Sequence, residues 1–193
     1  VYGAAVDQKF SQNIYGGLEG SYRDMKVPFF NQDPVTLEFE LEEYKWDEWL
    51  GRAYLYWTPH EWLALSAEYR YEDDKRKDFT DGLIRAETHS VPLGVNFFHP
   101  SGLSCGLKTT YYDQDGKFEN RVNLSLAPYE KADDNFWLVD AAVSYRFPKR
   151  YGFFTLGVTN LFDEDFNYFD KDTDNPSIQP DRAIFGKVTL ALP

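Results

Sequence analysis

The stretch "FWLVDAAVSYRF", residues 136–147, decides the fold class. Its apolar side chains fall on alternate residues: Trp137, Val139, Ala141, Val143, Tyr145 and Phe147. The residues between them include Asp140, Ser144 and Arg146. Because successive side chains of a β-strand point to opposite faces, this spacing predicts a strand with one apolar face and one partly charged face.

The same period of two recurs along most of the chain, and a helical period is almost absent. It is clear in "WLALSAEYRYE" (62–72), "SVPLGVNFF" (90–98) and "AIFGKVTLAL" (183–192). Similar runs occupy roughly residues 1–10, 13–24, 49–58, 103–112 and 152–162. The sequence therefore predicts about nine strands, each near or above the ~9–11 residues that cross a membrane when tilted.

The connections between these strands alternate between two kinds. Short turns fall at 11–13, 58–61, 99–102 and 148–152, and long polar segments fall at about 24–48, 72–88, 113–134 and 163–182. An antiparallel up-and-down barrel whose two rims face different surroundings has this pattern. Phe39 and Leu41 continue the alternation among glutamates, so strands are expected to project beyond a bilayer.

Composition excludes several classes of protein. The 193 residues carry a net charge of −12, yet aromatics make up 18% of them. A disordered acidic chain should be poor in aromatics, and an acidic chain lacks the basic stripe that nucleic acid requires. Most of the 32 acids lie in the four long segments. The single Cys105 leaves no internal disulfide framework, and "VYGAAVDQKF" at the start resembles a strand already under way rather than a signal peptide.

Aromatic residues cluster at two heights. Beside the short turns lie Phe10, Tyr15, Trp57, Trp62, Phe97, Phe98, Phe147, Tyr151 and Phe153. Near the opposite strand ends lie Tyr22, Tyr69, Tyr71, Tyr111, Trp137 and Phe162. Two such belts around an apolar band predict a transmembrane β-barrel. A soluble β-sandwich is the alternative, and it accounts less easily for the belts, the alternating connections and the mid-strand charges.

One motif resembles a known family. "VTNLFDEDF" (158–166) resembles the Asn-Leu-Phe-Asp element before the last long loop of TonB-dependent outer-membrane receptors, and "DRAIFGKVTLAL" (181–192) resembles their closing strand. "DQDGKF" (113–118) and "DNFWLVDAAVSYRFPKRYG" (134–152) look like the same region. The segments at 7–28, 54–72 and 88–107 look closer to a variant group in which tetratricopeptide repeats precede the barrel.

The resemblance implies a Gram-negative outer-membrane location and a role in solute uptake or passage, without catalysis. Such receptors have barrels of about 22 strands, so residues 1–193 are expected to form one β-barrel region, the C-terminal portion of a larger barrel. Neither the family's plug nor its TonB-binding box occurs in this sequence, and the chain ends in "LALP" rather than in an aromatic residue. The expected partners are outer-membrane lipid and an upstream plug or repeat region; the solute stays open, and no nucleic acid is expected. A non-transporting membrane anchor and a soluble sandwich that binds a ligand are the alternatives.

Charged residues in mid-strand are the first candidate site. They are Glu19, Arg23, Arg52, Glu68, Arg70, Asp140, Arg146 and Lys187. If the apolar faces meet lipid, these residues line the lumen and set its ion preference. The alternative is a set of interior salt bridges that braces the wall.

The acidic stretch "DKDTDNPSIQPD" (170–181) is the second candidate site. Asp170, Asp172, Asp174 and Asp181 stand at positions 1, 3, 5 and 12 of a frame that suits Ca²⁺. A solvated acidic loop is the alternative, since Asp replaces the usual Glu at position 12. His60, His89 and His99 have no zinc-site spacing, and Ser90 beside His89 lacks the surroundings of a nucleophile, so no enzyme is expected.

Overall fold

In the part of the chain that the structure describes, nine antiparallel strands form one sheet, and each strand pairs with its neighbours in chain order. The computed structural model describes residues 1–32, 39–77, 82–119, 130–169, 178 and 181–190. The strands are β1 (Tyr2–Lys9), β2 (Ile14–Gln32), β3 (Phe39–His60), β4 (Leu63–Lys77), β5 (Gly82–Phe98), β6 (Leu103–Glu119), β7 (Glu130–Arg146), β8 (Gly152–Thr159) and β9 (Ala183–Leu190). The predicted up-and-down topology of nine strands is confirmed. The first and last strands of the described sheet are not paired with each other, as in part of a larger barrel.

Several strands are longer than the alternation of apolar residues predicts. β3 has 22 residues and pairs with β2 as far as Gln32 and Phe39. At about 3.4 Å per residue it measures roughly 70 Å, more than twice the ~30 Å of a hydrocarbon core. Much of the long polar segments is thus strand rather than loop. The projection beyond a bilayer that Phe39 and Leu41 predicted is confirmed for β3. On the other strands the sequence conceals the extension, because polar residues occupy both faces there.

The pairing register divides the side chains between two faces. One row across the sheet runs Ala5, Glu19, Arg52, Arg70, Ser90, Tyr112 and Phe136, and we call its side the polar face. A row on the other side runs Gly16, Leu55, Ala67, Leu93, Thr109 and Val139, and we call that side the apolar face. Directly paired residues of an antiparallel ladder point to the same side, so the two rows separate chemically distinct surfaces.

Large apolar side chains on the apolar face are exposed rather than buried. Leu18 is 65% exposed, Val143 50%, Leu156 52% and Val188 60%. A soluble sandwich would bury such a surface against a second sheet, whereas a membrane barrel presents it to lipid. No helix among the described residues is long and apolar enough to cross a membrane. The exposed apolar face is the surface that a transmembrane barrel requires.

Aromatic rings border the apolar face at its outer end. Tyr22 contacts Trp49 with ring centroids 4.7 Å apart, and Tyr111 contacts Trp137 at 5.1 Å. The belt predicted beside the short turns is less uniform than expected. Three of its members lie on the polar face, because the ladder pairs them with polar-face residues of a neighbouring strand: Tyr15, Phe98 and Phe153. Those three aromatics therefore do not belong to a lipid-facing belt.

Beyond the upper aromatic border the apolar face becomes charged. Four acidic residues continue this side of the sheet on their strands: Asp47, Asp73, Glu87 and Asp113. The change occurs two residues beyond the bordering rings: from Tyr22 to Asp24, from Trp49 to Asp47 and from Tyr111 to Asp113. We take this border as the outer limit of the membrane-spanning segments.

Candidate functional site

All eight mid-strand charges predicted from the sequence lie on the polar face. The ladder places them there by register: Glu19 and Arg23 on β2, Arg52 on β3, Glu68 and Arg70 on β4, Asp140 and Arg146 on β7, and Lys187 on β9. They share a face because the register of the ladder aligns their positions across the strands. The prediction that this face lines a lumen is taken up below as a proposal.

Four of these residues form a connected ion-pair network at its centre. Arg52 Nη2 lies 3.0 Å and Nε 3.1 Å from the two carboxylate oxygens of Glu68, and Nη1 lies 3.1 Å from Glu19 Oε1. Arg70 Nη2 donates to Glu68 Oε2 at 2.8 Å. The Glu68 side chain is only 11% exposed. A two-pronged guanidinium pair fixes both side chains in one geometry, so the network holds β2, β3 and β4 in register.

Two tyrosines that were not predicted as site residues, Tyr54 and Tyr56, complete this network. Tyr56 Oη donates to Glu68 Oε1 at 2.7 Å, and the Arg52 guanidinium lies 4.5 Å from the centre of the Tyr54 ring. Tyr54 also donates to Asp7, and its hydroxyl lies 3.4 Å from that of Tyr15. Tyr54 and Tyr56 stand two and four residues after Arg52, so period two alone could have placed them on its face.

The remaining predicted residues lie apart from this network. Arg23 pairs with Glu48 at 3.3 Å. Asp140 Oδ1 accepts a hydrogen bond from the backbone nitrogen of Asn160 at 3.1 Å. Arg146 and Lys187 share the face but lie near the short turns, on β7 and β9. The sequence pattern thus predicts which face a residue occupies but not which residues meet.

The Asn-Leu-Phe-Asp element forms a buried turn at the end of β8. Asn160 is 2% exposed and has a φ of 48°. Its side chain donates to Glu164 O and accepts from Glu164 N, both at 2.9 Å. Asp163 accepts hydrogen bonds from the backbone nitrogen of Arg182 at 3.3 Å and from its guanidinium at 3.2 Å. The two sequence motifs that carried the family resemblance therefore meet, because this turn fastens the start of β9.

A second ion cluster lies on the other side of the sheet, above the aromatic border. Arg85 Nε and Lys75 Nζ lie 2.8 Å and 3.0 Å from Asp73, and Arg85 Nη2 lies 2.7 Å from Glu87. Burial of the Asp73 carboxylate opposes its ionisation, but hydrogen bonds from Arg85 and Lys75 outweigh that effect and hold the pKa of Asp73 below its ordinary value. This cluster joins β4 and β5 outside the membrane.

Three of the four predicted calcium ligands lie in a part of the chain that the structure does not describe. Asp170, Asp172 and Asp174 lie outside the described residues, and Asp181 is exposed. Among the described residues, no group of three or more His, Cys, Asp or Glu side chains could hold a metal ion. Calcium binding at 170–181 stays a prediction.

The fold and the division of its faces define an outer-membrane type of β-barrel. A family model described as "TonB dependent receptor-like, beta-barrel" matches residues 17–161. The chain belongs to this family. Comparisons with curated proteins and with solved structures gave no match.

Family membership gives the setting of the protein. The TonB-dependent receptor β-barrel is a domain of the Gram-negative outer membrane, and members of the family are transporters with a plug domain. The location predicted from the sequence is confirmed. The match does not distinguish the repeat-bearing variant, which stays a prediction.

Proposed function

We propose that the chain forms wall, lumen and acidic outer rim of a receptor-like barrel that takes a solute across the outer membrane without catalysing a reaction. The single observation that carries the proposal is the separation of the two faces. The polar face carries a connected network around Arg52, while the opposite face exposes leucine, valine and aromatic side chains. Lipid is the surrounding that matches the apolar face, which leaves the polar face for the lumen.

In this proposal, the acidic outer segments give the lumen a preference for positively charged solutes. Most acids of the described residues lie beyond the aromatic border. A mouth of one charge sign raises the local concentration of ions of the opposite sign, and salt screens the effect over about 10 Å at 0.1 M ionic strength. We infer that the solutes favoured are cations or cationic complexes. A plug domain like that of other family members is part of the same proposal.

Electrical recording with a site-specific blocker tests the proposal. In the full barrel protein, with Cys105 replaced by Ser, Arg70→Cys places a thiol on the polar face and Tyr69→Cys places one on the apolar face. In planar lipid bilayers we expect an ion current that a charged methanethiosulfonate reagent reduces at residue 70 but not at residue 69. A barrel that carries no current at any voltage, with or without the plug expected upstream of it, would refute passage and favour a membrane anchor. Equal block at both residues would refute the assignment of the faces.

A further inference from the structure

The segment that follows β8 lies against the polar face instead of standing clear of the sheet. We call residues 160–169 the inner segment. Its Leu161 nitrogen donates to Val139 O at 2.7 Å, and its Asn167 nitrogen donates to Asp134 Oδ2 at 2.6 Å. Asp134 has the register of the polar face on β7. The inner segment is therefore fastened to β7 near both of its ends.

Gln114 on β6 fixes the far end of the inner segment. Its side-chain oxygen accepts from Phe169 N at 2.7 Å, and its side-chain nitrogen donates to Phe169 O at 3.1 Å and to Thr88 Oγ1 at 2.8 Å. Gln114 is 1% exposed. One buried amide thus bonds both backbone groups of a single residue, as a neighbouring strand would, and an unmade bond there would be costly.

Aromatic stacking covers the area between these anchors. Phe136 stacks on Phe166 with centroids 4.3 Å apart and planes 17° from parallel, and on Tyr112 at 5.1 Å. Phe169 contacts Phe118 at 5.2 Å. Gly116 leaves room for it, because a Cβ there would lie 2.8 Å from the Phe169 ring. Phe136 is 4% exposed, so this cluster is a packed core on the polar face, where the buried hydrophobic residues of the described chain lie: Ala86, Phe136 and Leu138.

The acids of the inner segment point away from that core. Asp163, Glu164 and Asp165 are exposed, whereas Phe166, Tyr168 and Phe169 are half-buried against the sheet. A segment held in this way presents carboxylates to the space in front of the polar face. Fixed charges at a narrow place in a pore set which ions pass.

We propose that the inner segment is a stationary constriction of the lumen, and that Glu164 and Asp165 give it a preference for cationic solutes. The proposal rests on the proposed function, because it takes the polar face as the lumen. It adds a specific element: the inner segment packs through its aromatic rings on the inner side of β5, β6 and β7 instead of standing outside the barrel.

Cross-linking tests the placement of the inner segment. With Cys105 replaced by Ser, the full barrel protein carries Asp134→Cys and Asn167→Cys, and a matched control carries Asn135→Cys and Asn167→Cys. Asn135 is the neighbour of Asp134 but has the register of the apolar face. We expect a short bifunctional thiol reagent to join 134 to 167 in outer membranes and to leave 135 and 167 unjoined. Failure of the first pair, or equal yields from both pairs, would overturn the placement.

Ion selectivity tests the role of the carboxylates. In bilayers that separate two potassium chloride concentrations, the reversal potential gives the permeability ratio of cation to anion. We expect Glu164→Gln with Asp165→Asn to lower that ratio about two-fold or more, and the control Asp133→Asn, on the apolar face of β7, to leave it unchanged. An unchanged ratio in the double variant would overturn the constriction even if current flows. If the 134–167 cross-link forms but the protein carries no current with or without its plug, the proposed function and the selectivity are overturned while the placement of the inner segment stands.

Discussion

Asn160 combines two requirements that few side chains meet. Its φ of 48° lies in the left-handed region, which asparagine tolerates better than other residues with a Cβ. Its amide also closes a reciprocal pair of bonds with the backbone of Glu164 while being buried. Glycine could satisfy the first requirement and alanine neither. The turn at the end of β8 therefore depends on this one residue type, which explains why asparagine opens the motif.

Two substitutions separate the requirements of Asn160. We expect Asn160→Gly to keep the backbone shape but lose the two side-chain bonds, at a cost of about 1–3 kcal/mol in the free energy of unfolding. Asn160→Ala adds the left-handed strain, about 1–2 kcal/mol more. Urea unfolding in lipid vesicles measures both, and amide exchange at Glu164 reports the turn itself. If alanine proved as stable as glycine, the backbone strain would play no part.

The strand extensions beyond the aromatic border follow different rules from the strands within the membrane. In the membrane, lipid demands apolar side chains on one face and ladder bonds for every backbone group. Above it, both faces meet water, and β4 and β5 are joined by charges such as Asp73 and Arg85. The Lys77 ammonium and Asp47 form a comparable pair between β3 and β4, and their hydrogen bond is the main cause that lowers the pKa of Asp47. These extensions are thus sensitive to pH in a way that the lipid-facing surface is not.

Acid should weaken the extension of β4 and β5. Because the pKa of Asp73 is lower in the folded chain than in the unfolded one, its stabilisation is complete above the unfolded value of about 3.9 and is lost as the pH falls through the folded value. Asp73→Asn should cost about 1.5–3 kcal/mol at pH 7, where hydrogen bonds to a charged group are lost. Its stability should also depend less on pH below about 4 than that of the natural protein.

Urea unfolding in vesicles between pH 7 and pH 3 measures this difference. Asp115→Asn is the matched control, because Asp115 is an exposed carboxylate on the same side of β6. Surface substitutions of that kind usually change stability by no more than about 0.5 kcal/mol. Equal pH profiles for Asp73→Asn and for the natural protein would contradict the assignment.

Local period explains what the sequence could predict about these elements. Alternation alone fixes which face each residue of a strand occupies, so the nine strands and the common face of Glu19, Arg52 and Lys187 were predictable. The projection of β3 was also predictable from Phe39 and Leu41, but the extent of the other strands was not, because alternation disappears where both faces are polar. Nor was the inner segment, whose partners Gln114 and Asp134 are distant in sequence. The only local signal was a spacing of two between Phe166 and Tyr168 in an otherwise acidic stretch.

At the scale of the whole molecule, the two faces of the sheet suit two different solvents, lipid on the apolar face and water on the polar face. Ion pairs and the inner segment link the strands on the polar face, whereas large side chains on the apolar face, such as Leu18 and Val188, stay more than half exposed. Stability of the apolar face therefore depends on lipid, whereas that of the polar face depends on internal bonds. Reversing the two faces would leave charges such as Glu68 in hydrocarbon, at a cost of several kcal/mol.

Neighbouring residues on β6 test this arrangement. With Cys105 replaced by Ser, Leu107→Cys carries a nitroxide label on the apolar face, where Leu107 pairs with Val95 and Ala141. Lys108→Cys is the matched control on the polar face, where Lys108 pairs with Gly94 and Asp140. Because oxygen concentrates in hydrocarbon and a nickel chelate stays in water, we expect spin relaxation by oxygen to dominate at 107 and by nickel at 108 in membranes. The same preference at both residues would contradict a lipid-facing apolar face, and nickel dominance at 107 would mean that this face meets water.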